Sequence, residues 1–305
     1  MRDELKALLK MRSKHVVQVY DVLKIGTDDL AIVQEFIAGN DLFHASHGQQ
    51  NLIDYLKIVW QVSSGIADIH ALSVIHRDIK PNNMKVDNEG VVKIFDFGLS
   101  REEGDGAATV GFVGTPGFAA PELYAHNAKF TAAVDTYAFG ATALFLALRD
   151  LPATLKRRPP VASAGNYFTN LSFGLSDEVA NALNSCLEAN PKHRPLMHEV
   201  RDTLAKHLLH NRHKALVVFQ GKASYLDAQR RSVSLRLLSM GEVEIRYDGF
   251  SFSVGSVSGY VSINNRMVTV GDVLPGACVV TLGAPEHGNQ RKYITFDVSH
   301  PEIVL

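Results

Sequence analysis

Three short motifs in this 305-residue chain combine residue types that can do chemistry. They are His76-Arg77-Asp78-Ile79-Lys80-Pro81-Asn82-Asn83, Asp96-Phe97-Gly98 and Ala120-Pro121-Glu122. Together they provide carboxylates, an amide oxygen and a lysine ammonium group. Such a set can orient a nucleophile and neutralise anionic charge, which is most of what phosphoryl transfer requires of a protein.

The order and spacing of these motifs resemble the catalytic half of eukaryotic-type serine/threonine protein kinases, known in bacteria as Hanks-type kinases. A His-Arg-Asp tripeptide alone is most often a surface loop. Lys80, Asn83 and Asp96-Phe97-Gly98 at these spacings make a coincidence very rare. The resemblance covers residues 3–209.

The resemblance implies catalytic roles within the first two motifs. Asp78 would orient the acceptor hydroxyl, and Lys80 would neutralise the γ-phosphate of ATP. Asn83 and Asp96 would bind Mg²⁺, a hard cation that prefers oxygen ligands. Gly98 would give the backbone the freedom that lets Asp96 turn inward. The implied cofactors are therefore ATP and Mg²⁺, and the implied substrates are proteins with serine or threonine acceptors.

Other residues match structural positions of the family. His76 is interpreted as packing under Phe97 rather than as an acid or base. Glu122 is expected to form a buried ion pair with Arg194, a contact that is costly to break. Asp135 starts the helix motif Asp135-Thr136-Tyr137-Ala138-Phe139-Gly140, in which a tyrosine replaces the family's usual tryptophan.

The segment Gly114–Glu122 resembles the substrate-docking segment of the family. The resemblance places Thr115 within hydrogen-bonding distance of Asp78 and Lys80, where it would shape the site for a serine or threonine acceptor. Protein substrates are therefore favoured over a small-molecule acceptor.

Between the second and third motifs lies the segment that matches the family's activation loop. Arg77 adjoins the catalytic aspartate, and in kinases with this arginine a phosphate on the loop commonly orders it through charge-assisted hydrogen bonds. Thr109 is the best candidate for that modification, followed by Ser100. An unmodified threonine is the alternative.

Upstream, Val33–Leu42 resembles the hinge that binds the nucleobase in the family. Glu35 and Ile37 would offer backbone groups to adenine, and Asp41 would reach the ribose. An ordinary strand followed by a turn fits the same residues.

The N-terminal end of the sequence departs from the family pattern. Glu4 falls at the position of the family's helix αC glutamate, and only three residues precede it, where a glycine-rich loop and an ATP-holding lysine are expected. The favoured interpretation is an N-terminally shortened kinase whose true start lies upstream. A pseudokinase scaffold or interaction module is the alternative.

Hydrophobic periodicity predicts the elements that hold these motifs. A helix is predicted over residues 3–12, with strands over Val16–Leu23 and Leu30–Phe36. Further helices are predicted at 52–72, 133–148, 176–188 and 197–209, so that the motifs fall on the loops between them. After residue 214 the predicted elements are short strands, at 215–219, 232–238, 243–247, 250–254, 260–264, 278–282 and 293–298.

The predicted fold class is α+β: a protein kinase-like fold with a truncated N-lobe and a helical C-lobe, followed by a small all-β sandwich domain. The predicted boundaries are 1–36 for the partial N-lobe, 37–209 for the C-lobe, 210–214 for a linker and 215–305 for the β-domain.

The β-domain distantly resembles the end of a forkhead-associated domain, a family that binds phosphothreonine. The resemblance rests on residues 260–268 and 273–283, and the family's Gly-Arg and Ser-x-x-His phosphate-binding pair is not found. A phosphoprotein or regulatory partner is therefore one prediction for this domain. A small β-domain for protein interaction is the other.

Composition is that of a soluble globular protein, with 46% hydrophobic residues, 21% charged residues and a net charge of −1. That charge favours neither nucleic acid nor an anionic membrane as a partner. Cys186 and Cys278 are predicted to be buried rather than reactive. The charged N-terminus does not resemble a signal peptide, so a cytoplasmic location is expected.

Overall fold

The computed structural model describes residues 9–25, 29–44, 51–97, 101–102, 115–125, 130–161, 166–237, 240–299 and 301–304, and every structural statement below concerns these residues. The chain divides into two compact units, Met1–Ala205 and Lys206–Val304. The first unit combines helices with short sheets, and the second consists of strands apart from its first residues and one 3₁₀ turn. The predicted α+β class is confirmed.

Four helices lie wholly within the described residues, each close to its predicted range. Of the predicted helix over 3–12, residues 9 and 10 are helical and residues 3–8 lie outside the described residues. They are α1 (Leu52–Ala71), α2 (Ala133–Leu148), α3 (Asp177–Cys186) and α4 (Met197–Leu208). The side chain of Asn51 caps α1 by accepting a hydrogen bond from the Asp54 amide at 2.9 Å. Ser176 caps α3 in the same way through the Val179 amide at 3.3 Å.

Helix α2 is the central element of the first unit. Tyr137 and Phe139 on this helix are fully buried. Gly140 permits close packing against α3, because a Cβ atom at this position would lie 2.9 Å from Cβ of Cys186. Burial raises the pKa of the Cys186 thiol to about 12, so this cysteine is a buried core residue rather than a reactive thiol.

Short strands of the first unit support the motif loops. The strands are β1 (Val19–Ile25), β2 (Asp29–Gln34), β3 (Asn40–Asp41), β4 (Val74–Ile75), β5 (Met84–Val86), β6 (Val92–Ile94) and β7 (Arg101–Glu102). β1 pairs with β2, β3 with β5, β5 with β6, and β4 with β7, all antiparallel. The first and second motifs therefore lie on either side of the β5–β6 hairpin.

The second unit has two antiparallel sheets. Its strands are β8 (Lys214–Phe219), β9 (Lys222–Leu226), β10 (Ser232–Leu237), β11 (Gly241–Tyr247), β12 (Phe252–Gly259), β13 (Val261–Ile263), β14 (Arg266–Met267), β15 (Ala277–Leu282) and β16 (Lys292–Ser299). The sheet orders are β10-β11-β12 and β14-β13-β15-β16-β8-β9. Buried side chains from both sheets form one core, as in a β-sandwich.

Three strand predictions in this unit need correction. β9 and β14 were not predicted from the sequence, and β12 was predicted to end at residue 254, whereas it continues to Gly259. β9 and β14 are edge strands of the larger sheet, with few buried side chains, so pairing with a neighbour determines them more than their own hydrophobicity. β12 is long because it pairs with β11 across a bulge between Glu244 and Ile245.

Within the described residues, no helix has the length and apolar character needed to cross a membrane.

Candidate active site

Asp78 lies at the centre of the candidate site. Its Oδ2 atom accepts hydrogen bonds from Nζ of Lys80 at 2.6 Å and from Nδ2 of Asn83 at 2.9 Å. Its Oδ1 atom accepts from the hydroxyl of Thr115 at 2.8 Å. The side chain of Asp78 is 11% exposed, so its carboxylate is largely shielded but still reachable from solvent.

Thr115 connects the third-motif segment to this loop. Its hydroxyl oxygen also accepts a hydrogen bond from Nζ of Lys80 at 2.8 Å. Asp78, Lys80 and Thr115 thus form a closed triangle of polar contacts between segments 35 residues or more apart in the chain. The structure brings together the three residues that the sequence analysis grouped.

Asn83 is held in one orientation. Its amide nitrogen donates to the backbone carbonyl of Asp78 at 2.9 Å as well as to the Asp78 carboxylate. Because the nitrogen is committed to these contacts, the other end of the amide, the oxygen, is the part left for a cation. The carbonyl of Asn83 accepts from the Phe95 amide at 3.0 Å, which places Asp96 one residue beyond this junction.

Asp96 has a left-handed backbone conformation, with φ of 68°, and its side chain is exposed. Among the described residues no group of three or more His, Cys, Asp or Glu side chains could hold a metal ion. Asn83 and Asp96 offer a different donor set, one amide oxygen and one carboxylate, and this set fits a hard cation such as Mg²⁺.

His76 joins the first and second motifs. Its Nε2 atom donates to the carbonyl of Phe95 at 3.1 Å, and its Nδ1 atom accepts from the Asp78 amide at 3.3 Å. The His76 and Phe97 ring centroids are 4.8 Å apart. Burial lowers the pKa of His76 despite the nearby carboxylates, which favours the neutral imidazole that these two hydrogen bonds require.

Asp135, at the start of α2, fixes the backbone of the same loop. Its fully buried carboxylate accepts from the amides of His76 and Arg77, each at 2.8 Å. It also accepts from Nε2 of His70 at 3.0 Å. Burial alone would raise the pKa of Asp135, but the hydrogen bonds from His70 and His76 outweigh it and hold the pKa below its usual value.

Glu122 and Arg194 form a bidentate ion pair, with N···O distances of 2.6 and 2.8 Å. The Arg194 side chain is completely buried and also donates to the carbonyls of Glu188, Ala133 and Ala189. Because every donor direction is used, the pair ties the third motif to the segment before α4.

Arg77 is 6% exposed, and its guanidinium lies 4.0 Å from the centroid of the Phe130 ring. Four other predicted residues, Glu4, Gly98, Ser100 and Thr109, lie outside the described residues. Their assigned roles stay predictions.

The predicted hinge residues already have protein partners. The carboxylate of Glu35 pairs with Lys93 at 2.7 Å, and the Ile37 carbonyl accepts from Lys85 at 3.4 Å. Asp41 accepts from the ring and the backbone of His44 at 2.9 and 2.8 Å. Burial opposes but does not cancel the effect of His44, so the pKa of Asp41 is lowered.

Sequence reasoning missed the partners His70, Lys93, Lys85 and His44. The only sequence signal for His70 was its position in the last turn of α1, six residues before His76. No motif marked the two lysines, since they contact residues that are distant in the chain.

The protein kinase domain family matches residues 1–204, about two thirds of the chain. The chain therefore belongs to the protein kinase family. The match ends before the second unit, so the resemblance to a forkhead-associated domain stays a prediction.

Individual relatives are protein kinases. The mitogen-activated protein kinase kinase kinase YODA of Arabidopsis thaliana is 29% identical over 207 residues, which cover 65% of this chain and 23% of the relative. A probable serine/threonine-protein kinase of Dictyostelium discoideum is 28% identical over 219 residues, 67% of this chain and 23% of the relative. The carbon catabolite-derepressing protein kinase of Saccharomyces cerevisiae is 30% identical over 206 residues, 65% of this chain and 31% of the relative. The chain thus spans about a quarter to a third of the length of these relatives.

Proposed function

We propose that this chain acts as a protein serine/threonine kinase and transfers the γ-phosphate of ATP to a serine or threonine hydroxyl of a protein. The observation that carries the proposal is the triangle of Asp78, Lys80 and Thr115, with contacts of 2.6 to 2.8 Å. The triangle supports the proposal because it brings a carboxylate, an ammonium group and the segment that begins at Thr115 to one point.

Asp78 has room for one more hydrogen bond. A carboxylate offers about four lone-pair positions. Lys80 and Asn83 use both positions on Oδ2, and Thr115 uses one on Oδ1. A substrate hydroxyl would donate to the remaining position on Oδ1, which would direct its oxygen lone pair toward the phosphate.

Lys80 would offset the negative charge of the phosphate during the transfer. Its ammonium group has three donors, of which Asp78 and Thr115 take two. The third donor would contact an oxygen of the transferred phosphoryl group and offset its charge in the transition state.

Asn83 and Asp96 would hold Mg²⁺ through the amide oxygen and the carboxylate. When bound, the cation supplies charge neutralisation on the phosphates. His76 would keep these two ligands together, because it bridges Asp78 and Phe95 on the two loops that carry them.

ATP would approach along the segment from Glu35 to Asp41, whose backbone groups the family resemblance assigns to adenine. Asp41 would have to exchange its contact with His44 for the ribose, an exchange that costs little because the His44 side chain is 71% exposed. Protein partners of the second unit stay a prediction.

Phosphate transfer from labelled ATP, with Mg²⁺ and a generic protein acceptor, tests the proposal. Asp78→Asn should lower the rate by about 10²- to 10⁴-fold, because the amide cannot accept the hydroxyl proton. Asp202→Asn removes the same charge from a side chain that is 63% exposed and should leave the rate unchanged.

A folded wild-type chain that transfers no label would contradict the proposal for this chain. The scaffold alternative then predicts that Asp96→Asn leaves Mg²⁺-dependent ATP binding unaffected.

A further inference from the structure

A cavity of about 520 Å³ lies directly beside the candidate active site. Pro116, Gly117 and Phe118 line it, and they follow Thr115, the residue that contacts Asp78. A sphere of this volume is about 10 Å across, which equals about three residues of extended chain at ~3.3 Å each. The cavity therefore has the size to hold chain that flanks an acceptor residue.

One wall of the cavity is aromatic. The rings of Phe43 and Phe145 are stacked with centroids 5.1 Å apart, and Phe118 meets Phe145 edge-on at 6.1 Å. Leu151 completes this wall and is 6% exposed. Such a surface suits an apolar side chain.

The rim of the cavity is cationic. Three cationic side chains line it, Arg149, Lys156 and Arg158. Lys156 pairs with Asp150 at 2.6 Å, but both side chains are at least half exposed, so the pair is weak and exchangeable. Arg158 is exposed and forms no ion pair with any residue in the described part of the chain. Asp150 thus offsets one of the three cations, and the rim stays positive. Arg149 already donates to the carbonyls of Leu42 and Phe43 at 3.4 and 2.7 Å, so Arg158 is the cation more available to a ligand.

The loop that carries Lys156 and Arg158 is anchored. Leu155, directly before Lys156, is completely buried. The Val161 amide donates to the Thr154 carbonyl at 3.0 Å and closes the loop, and the Thr154 hydroxyl contacts the Tyr167 hydroxyl at 3.1 Å. The backbone that carries Lys156 and Arg158 is therefore fixed at the rim before any ligand arrives, which lowers the entropic cost of binding.

We propose that this cavity selects protein substrates that carry an acidic side chain beside an apolar one within about three residues of the acceptor, with Arg158 as the specificity-determining residue. The apolar side chain packs on the aromatic wall, and the carboxylate contacts Arg158 at the rim. The proposal rests on the proposed function for its acceptor, but it concerns peptide binding and not the transfer step.

Peptide binding to the whole chain tests the proposal directly. Fluorescent peptides with one serine, one leucine and one variable residue (Glu, Gln or Lys) within three positions of the serine are titrated and followed by anisotropy. The salt concentration is about 0.15 M, where charges beyond about 8 Å are screened. The Glu peptide should bind about fivefold more tightly than the Gln peptide, and the Lys peptide more weakly than either.

Arg158→Glu should abolish or invert the order of affinities among the Glu, Gln and Lys peptides. Arg157→Glu is the matched control. It changes the charge by the same amount, but Arg157 is an exposed neighbour that does not line the cavity. It should keep the preference for the Glu peptide.

Equal affinities for the three peptides, no measurable binding, or the same effect from Arg157→Glu and Arg158→Glu would each overturn the proposal. The proposed function fails separately. If the chain binds the Glu peptide preferentially but transfers no phosphate, the proposed specificity is supported and the proposed kinase activity is contradicted. If it transfers phosphate equally well with and without the acidic residue, the kinase activity is supported and the proposed specificity is contradicted.

Discussion

At the scale of single residues, burial decides which of two similar ion pairs contributes more to the stability of the first unit. Glu122 and Arg194 are joined by two short contacts, and Arg194 is completely buried. Lys156 and Asp150 have an equally short contact at 2.6 Å, but both are exposed to solvent. Water cannot take the place of the Glu122 carboxylate beside the buried Arg194. Loss of this pair therefore leaves an uncompensated charge in the protein interior.

Glu122→Gln is therefore expected to lower the free energy of unfolding of the first unit by about 3 kcal/mol, the lower end for a broken buried pair because Arg194 keeps three carbonyl partners. Urea unfolding followed by fluorescence of Trp60 measures this, since Trp60 is the only tryptophan in the chain and lies in the first unit.

Asp150→Asn breaks the exposed pair and serves as the control, with an expected loss of at most about 1 kcal/mol. Equal losses for the two variants would show that burial does not separate them.

At the scale of elements, buried histidines hold neighbouring segments together. His76 links the catalytic loop to the segment after β6. His15 donates from Nδ1 to the carbonyl of Val92 on β6 at 3.1 Å, and its ring lies 5.6 Å from that of Trp60 on α1. Burial lowers the pKa of both imidazoles below their ordinary value of 6.5.

These two groups make stability depend on pH. Below pH 6.5 the unfolded chain binds protons at both histidines while the folded chain resists protonation, so stability is complete above this pH and is lost as pH falls. Each histidine should contribute a slope of up to about 1.4 kcal/mol per pH unit.

Urea midpoints from pH 7.5 to 5.0, followed through Trp60, measure that slope. His15→Gln and His76→Gln should each reduce it, whereas His198→Gln, at an exposed position on α4, should not. A flat profile for the wild-type chain would refute the assigned cause.

At the scale of the whole molecule, each unit has its own hydrophobic core. In the second unit the core includes Phe252 from one sheet and Phe296 from the other, whose rings meet edge-on at 5.4 Å. Phe296 is 1% exposed, and Tyr293 on the same strand is 62% exposed. The alternation along β16 thus separates a core face from a solvent face.

Phe296→Ala should destabilise the second unit by about 3 to 5 kcal/mol, because it opens a cavity between the sheets. Amide hydrogen exchange of β11, β15 and β16 reports this as faster exchange throughout the strands. Tyr293→Ala, from the opposite face of β16, should change exchange little; a comparable effect would contradict the two-sheet core.

Much of the first unit was predictable because its information is local. The helical periodicity of residues 52–71 and 133–148 is contained within each segment, and the catalytic motifs have fixed spacings along the chain. The missed strands of the first unit, β3 to β7, are two or three residues long and too short to show a periodicity. The missed strands of the second unit, β9 and β14, are edge strands whose sequences do not alternate clearly.

The sequence by itself determined the family and the four described helices, and it predicted which residues form the candidate site, because these depend on residue type and short spacing. Only the tertiary structure decided which partners hold that site: His70 on Asp135, Lys93 on Glu35 and His44 on Asp41. It also decided that Arg158 faces a cavity while Arg157 does not. The physical reason is that hydrogen bonds and packing act over a few ångströms in space, and most of these contacts join residues that are far apart in the chain.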